Sequence, residues 1–149
     1  GLARRRPFDP LGVLVFTDLV RLRRDGGEDV RELLLEARGR YPHNKLLWWV
    51  AAAQHVTEKE YSDALELLDR LLAVELATLP AEGVAYDRRI FGEFAHEARG
   101  VCLFRLGRYR EAADAYAAAS RADPSNVAYR AKWKVALGRA GQTALRGVG

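Results

Sequence analysis

Chemistry in this 149-residue chain would have to come from three histidines, one cysteine and the carboxylates around them. His43, His55 and His96 never fall four residues apart and Cys102 is alone, so no Cys/His set with metal-ligand spacing is present. His43 follows a turn proline and reads as solvated, whereas His55 and His96 fall on inward faces of expected helices and read as packing residues. Cys102 has only Arg99 and Arg105 nearby to favour a thiolate, and beside Leu103 it reads as a small buried filler. Glu58, Glu60, Asp63, Glu66 and Asp69 form an acidic run, which a solvated helix face explains. No strand is predicted, so no glycine-rich loop can cradle a phosphate behind one. The expectation is a chain with no catalytic residue, no metal site and no cofactor.

Binding chemistry is better represented. Trp48 and Trp49 are adjacent in a helical stretch, so they point about 100° apart and cannot share one environment. Trp48 is assigned to packing. Trp49 is assigned to an exposed face, where tryptophan is a favoured contact residue, unless Tyr86 to Phe91 folds over it. The charge is uneven as well. Residues 127–149 carry five basic residues and no acid, although the net charge is only +4. Such a gradient can steer an acidic partner, but it falls short of the dense basic stripe of a nucleic-acid binder. Arg130 and Lys134 read as a solubilising outer face, Lys132 and Arg139 as contact residues.

The elements that must position these residues are helices. Ala, Leu and Arg dominate, Ile and Thr are scarce, and 49% of residues are apolar. No apolar run approaches the ~18 residues of a membrane span. The start is unlike a signal peptide, because Pro7-Phe8-Asp9-Pro10 interrupts the basic Arg4-Arg5-Arg6. A start at Gly1 without any methionine reads as a processed or excised piece of a longer protein, and the single cysteine points to a reducing, cytoplasmic setting.

Asp9-Pro10 opens a first helix that Asp25-Gly26-Gly27 stops. A second runs from about Glu28 to Arg38, with Gly39 as cap and Pro42 as terminator. Asn44 caps a third, from Lys45 to about Thr57, and a fourth follows Tyr61 to roughly Ala77. Asp87 caps a fifth that reaches Leu106, with Gly92 as its weak point; the sixth covers 108–122. A last helix covers Val127 to about Arg139, and 141–149 is expected to be a frayed tail. Helix, turn, helix and proline recur: 11–44 and 93–126 are 34 residues each, and 45–92 is the same unit with an insertion at 77–92.

Gly100, Leu103, Gly107, Tyr109, Ala112, Tyr116, Ala119 and Pro124 carry a resemblance to the tetratricopeptide repeat family, whose period is 34 residues. Trp48, Ala52, Tyr61, Ala64, Leu68 and Leu71 repeat it in the middle unit. The first unit is degenerate, with Asp18 and Gly27 at key positions. The resemblance implies an all-α, right-handed superhelical solenoid of about seven antiparallel helices, three hairpins plus a closing helix at 127–140. It also implies a single domain that binds protein or peptide, and no enzyme.

The resemblance further implies a concave groove lined by the first helix of each hairpin. Transferred to this chain, the groove is Val15, Phe16 and Leu19, then Leu46, Trp49, Val50 and Ala53. Phe94, Glu97, Val101, Phe104 and Arg105 continue it, and Lys132 and Arg139 on the closing helix give a basic end for a partner with apolar anchors and an acidic flank. Trp49 and Ala53 stand where chaperone-binding repeats carry Lys and Asn, so chaperone-tail binding is not expected. A second resemblance runs through Asp87 to Glu93, Leu103 to Tyr109, and Leu46 to Trp49 after Tyr41-Pro42. It is to the helical tails of bacterial family 2 glycosyltransferases, and implies the alternative role of an accessory domain that orients an acceptor or mediates assembly.

Overall fold

The computed structural model describes residues 31–79 and 86–148. Over these the chain is all-helical, with no strand. The α-helices are α1 (Arg31–Arg40), α2 (Lys45–Thr57), α3 (Tyr61–Leu72), α4 (Glu93–Arg105), α5 (Tyr109–Ala122) and α6 (Val127–Val148). Short 3₁₀ turns occupy Leu76–Thr78 and Arg88–Phe91. The first of the seven expected helices lies outside the described residues, as does the middle of the insertion.

Each helix packs chiefly on its neighbours in sequence, as in repeat arrays where one hairpin covers the next. One continuous apolar core runs from Trp48, Leu68 and Leu71 through Ala95 and Leu103 to Ala112, Tyr116 and Ala136. Small residues set the helix spacing in the α4–α5 hairpin. A Cβ on Gly100 would come within 2.6 Å of the Tyr116 ring, and Ala112 and Ala119 are completely buried. Helix α1 is tied on by smaller clusters, Leu34 with Val50 and Ala37 with Tyr41 and Leu47.

Caps explain the starts of α2 and α6. Asn44 accepts the Leu47 amide at 3.0 Å, and Asn126 accepts the Ala128 amide at 3.0 Å. Several expected ends differ. Helix α1 continues past Gly39 to Arg40, so Pro42 rather than Gly39 marks its end. Helix α3 stops at Leu72, five residues before the expected Ala77, where the Val74 amide tightens onto the Leu71 carbonyl and the chain turns. Asp87 does cap, but it caps the 3₁₀ turn; Gly92 then breaks the expected single helix and α4 begins at Glu93.

Helix α6 runs on to Val148 instead of ending near Arg139, so 141–148 is helix rather than tail. Gly138 and Gly141 cost roughly 1 kcal/mol each in helix propensity, which is too little to stop a helix that no proline interrupts. In the register of the preceding repeat, Gly141 stands where Gly107 turns the chain, yet α6 does not turn there.

Candidate functional site

The first helices of successive hairpins, α2 and α4, bring Trp49 and Phe94 together. Their rings stack at 6.2 Å with 27° between planes. Trp49 stays half-buried while Trp48 is buried, its indole N–H donating to the Pro42 carbonyl at 2.9 Å. The two tryptophans therefore part as expected for adjacent helical positions. Lys45 and Arg70 lie over the Trp48 ring at 5.1 and 4.2 Å, which closes its outer side.

Segment 86–91 comes down beside this pair. Tyr86 receives the Lys45 amide at 3.4 Å and packs edge-on to Phe91, and burial raises its phenol above the usual range. Arg89 lies 4.6 Å over Phe94, held in place by Asp87 through guanidinium bonds of 2.8 and 3.1 Å. Sequence reasoning missed Arg89, whose position depends on how the insertion folds back.

A second group forms where α4 and α6 face each other. Phe104 and Tyr116 make the floor of an apolar cleft of about 260 Å³, and Ala131, Lys132 and Val135 make its wall. Lys132 donates to Glu97 at 2.9 Å. Arg139 lies 5.9 Å from the Phe104 ring and 5.7 Å from the Tyr109 ring, and these two rings meet edge-on at 5.0 Å. Arg105 is exposed and pairs with no carboxylate among the described residues. Tyr116, read from sequence as architectural, serves both hairpin and cleft; burial pushes its phenol up to about 12.

The remaining expected site residues are scattered in role. Leu46, Ala53 and Val101 are half-buried. Val50 is only 5% exposed and packs on Leu34, so it belongs to the α1–α2 contact and is removed from the open face. Val15, Phe16 and Leu19 lie outside the described residues.

One group of metal-ligand types escaped the sequence: His55, Glu60 and Asp63, with ligand atoms within 4.8 Å of one another. Arg31 stands 3.1 Å from Glu60 and His55 stands 3.2 Å from the same oxygen. The Arg31 guanidinium and the His55 ring thus share one Glu60 oxygen, and the group is joined as a charged hydrogen-bond network. The hydrogen bond from His55 and the Arg31 charge hold the Glu60 carboxyl below its usual range. Cys102 is fully buried and burial pushes its thiol up to about 11, so it is not a nucleophile at neutral pH.

The α4–α5 hairpin has a glycine-containing turn, small residues at the helix crossing and Pro124 after it, and residues 93–126 match the family model described as Tetratricopeptide repeat. This hairpin is a tetratricopeptide repeat. No curated protein and no solved structure matches the chain. Among the described residues no helix is long and apolar enough to cross a membrane. A tetratricopeptide repeat typically serves as a non-catalytic scaffold for protein–protein contact, and a protein partner is what this repeat suggests.

Proposed function

We propose that the chain is a protein-binding module whose docking surface is the face shared by α2, α4 and α6. The observation that carries this is the half-buried aromatic series Trp49, Phe94 and Phe104, laid along successive first helices and ending at the α6 cleft. Half-buried aromatics on rigid helices are suited to anchor a partner at low entropic cost.

In this reading the units are 11–44, 45–92 with its insertion, and 93–126, closed by a capping helix that starts at Val127 and continues to Val148. They stack as a right-handed superhelical solenoid. Leu46, Ala53 and Val101 fill between the aromatic anchors, and Arg105, Lys132 and Arg139 form the basic end beside Glu97.

The test is affinity purification of a tagged chain, with partners identified by mass, repeated on Trp49→Ala and Phe104→Ala. Both variants should lose the partner while keeping the parent's circular dichroism. A partner retained by both variants removes this face from the proposal.

A further inference from the structure

We infer that the α4–α6 cleft takes an acidic amphipathic helix, and that Glu97 is the chain's own stand-in for one of that helix's carboxylates. The inference rests on the protein-binding reading above and names the partner's chemistry. The cleft wall is apolar: Val135 is 57% exposed and Ala131 lies beside it, over a floor of Phe104 and Tyr116. Cations border it. Lys132 and Arg139 are seven residues apart on α6, roughly 10.5 Å or two helical turns, and both reach toward α4. A helix lying along α6 would therefore meet both with carboxylates at i and i+7, while an apolar residue between them covers Val135.

Charge decides among occupants. From 127 to 145 the helix carries Arg130, Lys132, Lys134 and Arg139 and no acid. A second copy's α6 would set like charges against like, so self-pairing along this helix is disfavoured, whereas an acidic helix is complementary. Arg105 and Arg139 make no ion pair among the described residues. Of the three cations only Lys132 is ion-paired, with Glu97 at 2.9 Å, the two side chains being 44% and 33% exposed, while Arg139 rests against the Phe104 and Tyr109 rings. A pair this exposed contributes little and exchanges readily with an incoming carboxylate. Glu97 thus competes with the partner for Lys132 and repels its other acids, so removing its charge should strengthen binding. A residue that contacted the partner favourably would behave in the opposite way.

The test uses three synthetic peptides of about 14 residues, some four helical turns, with one leucine stripe and flanks of Glu, Gln or Lys. Binding to the full chain is read by fluorescence anisotropy. The Glu peptide should bind about tenfold tighter than the Gln peptide, and the Lys peptide more weakly than either. Lys132→Gln and Arg139→Gln should each weaken the Glu peptide about threefold, and Glu97→Gln should tighten it about threefold. Equal binding of the Glu and Gln peptides, no binding by the Glu peptide, or an unchanged or weaker affinity for Glu97→Gln overturns the inference. If the Gln peptide binds as well as the Glu peptide and Phe104→Ala weakens it, the docking face stands and only its acidic selection falls. If every peptide that binds is indifferent to Phe104→Ala, the face falls too.

Discussion

Lys59 and Gly107 hold the same backbone position in successive hairpins, with φ of 62° and 78°. The hydrogen bonds around them correspond one for one. The Glu60 amide reaches the His55 carbonyl as Arg108 reaches Leu103, and Lys59 reaches Val56 as Gly107 reaches Phe104. This is a left-handed helix stop, built around glycine in one hairpin and lysine in the other. A side chain in this conformation costs about 1 kcal/mol. Lys59→Gly should therefore raise stability by up to about 1 kcal/mol, and Gly107→Ala should lower it by a similar amount. Urea unfolding midpoints of the two variants check this; a Lys59→Gly midpoint at or below the parent's would mean the lysine conformation carries no strain.

Close approach in the α4–α5 hairpin depends on Gly100 lying against Tyr116, and on Ala112, which is completely buried. Gly100→Ala gains helix propensity but drives a methyl group into a buried ring. The clash should win, with a net loss of about 1 kcal/mol or more. Ala112→Leu adds more volume with no room for it and should cost on the order of 1–3 kcal/mol. Should both variants unfold at the parent's urea midpoint, the hairpin is not packed as described.

Much of this architecture was legible in the sequence because helix packing leaves a local trace. Gly100, Ala112 and Ala119 are small where two helices touch, Asn44 precedes its helix, and Pro42 and Pro124 follow theirs. What the sequence concealed depends on contacts distant in the chain. Val50 looked available for a groove until Leu34 covered it, and Glu97 and Lys132 looked like separate contacts although they bond across 35 residues. Helix ends that carry no strong local signal are hidden from the sequence as well. Gly141 occupies the turn position of the preceding hairpin, but a glycine alone costs only about 1 kcal/mol and no proline interrupts the segment, so the helix continues.

His96 on α4 gives a pH dependence whose sign is fixed. Burial chiefly, with Arg99 and Arg121 adding like charge, lowers its pKa below the usual 6.5. The unfolded chain therefore binds a proton that the folded chain refuses, so this contribution to stability is fully present above pH 6.5 and lost as pH falls through and below it. Urea midpoints measured at about pH 7.5 and about pH 5.5 should fall for the parent and fall less for His96→Gln. The lowered Glu60 carboxyl acts in the same direction, but only as pH drops below about 4.5. An identical decrease in the parent and His96→Gln between the two pH values would assign the effect to another group.

Arg89 governs how much of the aromatic pair is open. Its guanidinium lies over the Phe94 ring, and Asp87 fixes it with two side-chain bonds and one to the Arg89 amide. Arg89 is itself 61% exposed, so the pairing with Asp87 adds little stability and serves mainly to hold the arginine in place. Removing it should uncover apolar area without loosening the core, since Ile90 and Phe91 are what anchor this turn. Arg89→Ala is therefore expected to change stability by no more than about 0.5 kcal/mol while increasing the fluorescence of a bound apolar dye such as anilinonaphthalene sulfonate. The same increase should be absent in the double variant Arg89→Ala with Phe94→Ala, because the uncovered surface is then gone. Dye fluorescence unchanged from the parent in Arg89→Ala would show that the arginine covers nothing, and Trp49 and Phe94 would then have to be open to a partner without its displacement.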